Sequence, residues 1–150
     1  MLVSTTIQGE LGRYAELIGA RKDDPRVLEL LQRSPHFREQ QPFVDPSSGA
    51  EWIVVESVAD GVRLQFRDGV LAKASAEVAG SAHLDAAAHP DELIDGLDLR
   101  TATADDVVAR FGAPTKRGRT SLQYALEGAT LTVAFLDERV RAVTVSDGRR

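Results

Sequence analysis

The sequence predicts an α+β fold, in which an antiparallel sheet carries short helices on one of its faces. Apolar residues recur with the helical period of 3.6 in three segments and with the two-residue period of strands in six others. Turn dipeptides such as Asp60-Gly61 and Asp68-Gly69 separate neighbouring strand segments, which favours hairpins and therefore antiparallel pairing. A chain of 150 residues has the size of one domain, so we expect residues 1–150 to form a single domain.

Three segments are predicted to be helical. The first lies within residues 7–20, where apolar side chains share one helical face. The second begins at Asp24, an N-cap residue followed by Pro25, because proline is favoured at the first helical position. The third begins at Thr103, and Asp106 three residues later completes a capping-box pattern. All three helices are amphipathic, so each is expected to lie on the sheet.

Six strands are predicted, three in each half of the chain. They occupy residues 51–57, 61–69, 70–80, 120–128, 129–138 and 139–146. The alanines of the third segment would also permit a helix, although its alternation favours a strand. Residues 37–50 are rich in Pro, Ser, Gly and Gln and are predicted to be an irregular connection.

The order of these elements predicts two similar halves, each a helix followed by three strands. The halves cover residues 24–78 and 103–146 and are joined by an acidic connector, residues 79–102. The clearest local similarity places Phe66 and Asp68 opposite Phe135 and Asp137. A duplication explains this similarity, but an ordinary hairpin also places Phe inward and Asp at the turn, so both explanations stay open.

Composition excludes several classes of protein. The chain has no cysteine, which rules out disulfides, thiolate metal sites and thiol nucleophiles. Its net charge of -5 argues against nucleic acid as a partner, since phosphate-binding domains usually carry an excess of Lys and Arg. No window has the length of a membrane span and the N-terminal stretch has no signal-peptide pattern, so we expect a cytoplasmic protein without a membrane partner.

No catalytic, metal or cofactor site is predicted, and we therefore expect a protein that is not an enzyme. No Gly-rich loop joins a strand to a helix with the spacing that phosphates need. His36, His83 and His89 match no zinc-binding motif, and no serine lies in a nucleophile elbow. These histidines are expected at the surface.

The connector carries a predicted partner-binding strip made of Asp91, Glu92, Asp95 and Asp98. Such a strip suits a basic partner, because opposite charges steer encounter and fix register. The other interpretation is that these carboxylates are simply solvated.

A basic run and one tryptophan complete the predicted partner-binding residues. Lys116, Arg117 and Arg119 follow the third helix, where they contact a partner or offset the negative end of that helix. Trp52, the one tryptophan, is either an anchor on an open sheet face or part of the core. The core is the favoured position.

The second half, from "TADDVVARFGAP" to "RVRAVTV", resembles small binding domains such as β-lactamase inhibitor protein and the SmpA-type lipoproteins. The segments "YAELIGARKDDPRVLELLQRS" and "HPDELIDGLDLRTATADDVVARFGAP" also resemble bacterial immunity proteins of toxin systems. This resemblance implies a non-catalytic module that binds another protein. Most specifically, it implies an immunity-type inhibitor that occludes the active site of a toxin. The partner that the resemblance implies is then a basic toxin domain. The alternative is a small α+β enzyme or ligand-binding domain with an enclosed pocket.

Overall fold

The computed structural model describes residues 5–147, which form a mixed α+β structure that is mostly sheet. Within this range there are three helices and nine strands, and the strands form one antiparallel sheet. The N-terminal stretch that has no signal-peptide pattern begins with residues 1–4, and these four residues lie outside the described part. None of the helices in residues 5–147 has the length and apolar character to cross a bilayer.

Each of the three helices is eight residues long. They are α1 (Glu10–Leu17), α2 (Pro25–Gln32) and α3 (Ala104–Phe111). The predicted caps are confirmed: the Asp24 carboxylate accepts a hydrogen bond from the Arg26 backbone N–H at 2.8 Å, and Thr103 and Asp106 form a reciprocal capping box. Because these contacts satisfy backbone donors that have no partner inside the helix, they define where α2 and α3 begin.

Six of the strands are long and agree with the predicted segments, including the alanine-rich one. The strands are β1 (Arg38–Glu39), β2 (Phe43–Val44), β3 (Glu51–Ser57), β4 (Val62–Arg67), β5 (Val70–Glu77), β6 (Lys116–Arg117), β7 (Ser121–Leu126), β8 (Ala129–Leu136) and β9 (Arg139–Ser146). The three two-residue strands were not predicted. Two of them lie in the expected irregular connection, and the third lies in the basic run.

The strands follow the order β1-β3-β4-β5-β9-β8-β7-β6, and β2 also pairs with β3. The last strand of each half, β5 and β9, therefore meet at the centre. The β4–β5 and β8–β9 hairpins share two irregularities: the register shifts immediately before Phe66 and Phe135, and the turn residues Asp68 and Asp137 have φ of 50° and 51°. These features coincide with the residues that match between the halves, whereas the duplication itself stays a prediction.

The core lies between one face of the sheet and a layer made of the helices and the connector. Among its buried side chains are Leu11, Val27 and Val107 of the helices and Phe66 and Val143 of the sheet. The connector contributes Leu93, Ile94, Leu97, Leu99 and Ala102 to the same cluster. Residues 79–102 are thus more than a solvated link, because their apolar side chains cover part of the sheet while their carboxylates point outward.

Candidate functional site

The predicted partner-binding residues lie in three separate places. Asp91, Glu92 and Asp95 are exposed and Asp98 is partly exposed, all on the connector that covers the core face of the sheet. Asp98 accepts a hydrogen bond from the Arg100 backbone N–H. The structure brings the four acids together on one segment, but Trp52 belongs to β3 and the basic run lies at the far edge of the sheet.

The opposite face of the sheet is not covered by the helices or the connector. We call it the open face, defined by the residues that alternate with the core residues along each strand. One transverse row crosses it with one residue from every strand of the main path: Arg38, Glu56, Arg63, Ser75, Thr144, Thr132, Gln123 and Lys116. All eight side chains are partly or fully exposed. Lys116 of the predicted basic run therefore belongs to the open face.

Small hydroxyl side chains fill the middle of the open face. The strands that meet there place Ser75, Thr130, Thr132, Thr144 and Ser146 in adjacent positions. The Thr144 hydroxyl donates to the Ser75 hydroxyl at 3.2 Å. Short hydroxyl side chains lose little rotamer entropy when they are covered, and they can accept or donate hydrogen bonds. This surface is suited to contact by another polar surface.

An aromatic corner, formed by Phe43 and Trp52, occupies one end of the open face. These two side chains are cross-strand neighbours, and Phe43 is 52% exposed. The guanidinium of Arg67 lies 4.7 Å from the centre of the Trp52 ring and forms an ion pair with Asp147 at 2.8 Å. Its Nη2 is buried with no hydrogen-bond partner among residues 5–147. Phe43 and Arg67 were not predicted as site residues.

The preference for Trp52 in the core was wrong. Val55 is buried and Ile53 packs against the core cluster, and side chains alternate between the two faces of a strand. Trp52 must therefore point to the open face. The sequence pattern allowed both registers, because Trp52 and Val54 are as apolar as their neighbours.

Arg117 and Arg119 lie away from the open face. They line a groove of about 460 Å³ with Asp105 of α3 and Phe135. Neither arginine forms an ion pair in the described part of the chain. Asp137 and Glu138 also line the groove, so its charge is mixed. The predicted basic run is thus divided between two surfaces.

A polar cleft of about 280 Å³ lies on the core side of the sheet, between α1, α2 and the connector. Three carboxylates line it, and one of them, Asp60, accepts hydrogen bonds from the hydroxyls of Ser34 and Ser57, both at 2.5 Å. Both bonds lower the pKa of Asp60 below its ordinary value, and the bond from Ser34 has the larger effect. The pKa of Tyr14 in the same cleft is raised, mainly because its hydroxyl is buried and to a smaller extent because the negative charge of Glu10 is nearby. Because both serines donate to Asp60, the arrangement ties the β3–β4 turn to the end of α2.

The described residues form no group of three or more His, Asp or Glu side chains that could hold a metal ion. All three histidines, His36, His83 and His89, are exposed, as predicted, and His89 also lines the polar cleft. The chain matches no protein-family model, and comparisons with curated proteins and with solved structures found no match.

Proposed function

We propose that this protein is a non-catalytic module that binds another protein through its open face. The observation that supports the proposal most directly is a sheet face that no helix or connector of residues 5–147 covers and that is polar at its centre. Helix-covered sheets of this kind usually place one face in water, so exposure alone is ordinary. The aromatic corner is the unusual part, since Trp and Arg are enriched among the residues that dominate binding energy.

The open face is large enough to form the centre of an interface. Its six long strands, about 4.8 Å apart, span about 24 Å, and three to four transverse rows give a height of about 17 Å. The product, roughly 400 Å², is about half of the 800 Å² that each partner contributes to a standard interface. A partner that covered the face would therefore also contact the sheet edges.

We further propose that the module acts as an immunity-type inhibitor that occludes the active site of a cognate bacterial toxin. In this mechanism the rigid sheet is the docking platform, and inhibition requires no turnover. Preorganisation favours tight binding because little conformational freedom is lost on docking. The two halves then arise by duplication, which would explain the matching bulges and turns and would double the width of a smaller sheet.

The first experiment is co-purification of the tagged protein with the product of its adjacent gene, at 0.1 M and at higher salt. We expect a stoichiometric complex that weakens with salt and a partner whose activity is lost in the complex. Trp52→Ala should weaken the complex about 30-fold or more, as expected for a binding hot spot. Leu28→Ala, which removes a 45% exposed leucine from α2, is the matched control. Equal binding by the two variants would contradict a role for the open face.

The alternative, a small enzyme or ligand-binding domain, has the polar cleft in its favour. Thermal stabilisation by a small molecule that depends on Tyr14 and Asp60, without any protein partner, would support it over the first proposal.

A further inference from the structure

We infer that the partner of the open face is an acidic protein that places a carboxylate against Lys73. This inference rests on the proposed function and adds the chemistry of the partner. It differs from the basic partner that the acidic strip suggested, because that strip lies on the opposite side of the molecule.

The open face is positively charged on a negatively charged protein. Among the described residues, the side chains on this face include five cations and three carboxylates: Arg38, Arg63, Arg67, Lys73 and Lys116, and Glu56, Glu77 and Asp147, the last of which follows β9 and pairs with Arg67. These side chains sum to a net charge of +2, whereas the whole chain has a formal net charge of -5. An acidic partner is therefore attracted to this side of the molecule and repelled from the connector side.

Each carboxylate of the face lies within ion-pair distance of an arginine, whereas some cations have no such partner. Glu56 pairs with Arg63 at 3.0 Å and Asp147 with Arg67 at 2.8 Å. Glu77 lies 3.9 Å from the guanidinium of Arg141, and its Oε2 makes no hydrogen bond among the described residues. Within residues 5–147, Lys73 and Lys116 form no ion pair. The charges that remain for a partner are thus positive.

Of these two unpaired lysines, Lys73 is the one that a docked partner would cover. It lies on β5, one of the two central strands, between Gln65 of β4 and Ser146 of β9. Its neighbours on the face include the hydroxyls of Ser75 and Thr144. An ammonium on the same face as the Ser75 and Ser146 hydroxyls provides a site for a carboxylate, and a partner that covers it removes water from the pair. Lys116 lies at the edge of the sheet, where a partner leaves its ammonium in water.

The test uses a phage library of random 16-residue peptides, selected on the purified protein and counter-selected on Trp52→Ala. We expect the retained peptides to be acidic with at least one large apolar residue. Their affinity should fall about 30-fold for Lys73→Met, as for a covered charge pair, and at most about five-fold for Lys116→Met, as for an exposed pair. Arg13→Met, on the opposite side of the molecule, should leave binding unchanged.

The outcomes separate this inference from the proposed function. Neutral or basic peptides that still require Trp52 would overturn the acidic partner and leave the open face as a binding surface. A library without any Trp52-dependent peptide would overturn the use of the face itself. Binding of a labelled single-stranded DNA 20-mer with the same Lys73 dependence, in place of acidic peptides, would assign the face to phosphates and refute the inference.

Discussion

Removing one apolar side chain from the connector should destabilise the whole domain. Leu99 has no exposed surface and belongs to the core cluster, although it lies in a segment without helix or strand. Truncation of a fully buried leucine leaves a cavity and costs about 2–5 kcal/mol. For a domain of this size each kcal/mol lowers Tm by about 3 °C, so Leu99→Ala should melt about 6–15 °C lower than the native protein.

Urea unfolding followed by Trp52 fluorescence is a suitable assay, because the one tryptophan lies on the opposite face of the sheet from the connector. Leu28→Ala is the control for a partly exposed leucine and should cost about 1 kcal/mol or less. Asp95→Asn, which removes an exposed connector charge, should change stability by less than about 0.5 kcal/mol. If Leu99→Ala unfolds at the same urea concentration as Leu28→Ala, the connector is not part of the core.

Three further predictions concern other contacts. Asp60 has a lowered pKa, so its contribution to stability is complete above its unfolded pKa and is lost as the pH falls through its folded pKa. The native protein should therefore unfold at a higher urea midpoint than Asp60→Asn near neutral pH, and this difference in midpoint should shrink below about pH 4. A difference in midpoint that stays constant down to pH 2 would refute the prediction. Gly61→Ala should cost about 2–5 kcal/mol, because φ is 70° and a Cβ would overlap a backbone carbonyl of the connector. Gly128→Ala, with φ of 75° and open space around it, should cost only about 1–2 kcal/mol, and equal melting temperatures would argue against the close approach at residue 61. A double-mutant cycle on Arg67 and Asp147, measured by urea unfolding, should give a coupling of about 1 kcal/mol, since both side chains are at most 20% exposed; a coupling near zero would mean that the pair adds nothing.

Most of the regular structure could be predicted because it leaves a periodic signal. Six long strands alternate, and each helix has a cap or an apolar face that the sequence displays. The two-residue strands could not be predicted, since a pair of residues has no period. β6 in particular consists of two charged residues, Lys116 and Arg117, whose pairing depends on the neighbouring β7 rather than on their own preference.

The connector shows why burial is harder to predict than secondary structure. Its apolar residues, among them Leu84, Leu93 and Leu99, follow neither the helical nor the strand period, and acidic residues separate them. Only the tertiary fold brings them onto the sheet. The exposed carboxylates of the connector could therefore be predicted from the sequence, whereas the burial of the leucines beside them could not.

The open face was only partly predictable. Its hydroxyl residues were visible as Thr130 and Thr132 on β8 and as Thr144 and Ser146 on β9. They form one central patch only because the strand order places β9 between β5 of the first half and β8. The position of Trp52 depended on a register that its own segment does not determine.

The pairing of β5 with β9 has a consequence for synthesis in the cell. β5 ends at Glu77, whereas its partner on this side, β9, begins at Arg139 and therefore leaves the ribosome later. Until β9 emerges, the backbone donors and acceptors along that edge of β5 have no strand to bond, and an unpaired edge can capture another chain. The translation rate and chaperone access between the synthesis of β5 and that of β9 are therefore expected to influence the yield of native protein.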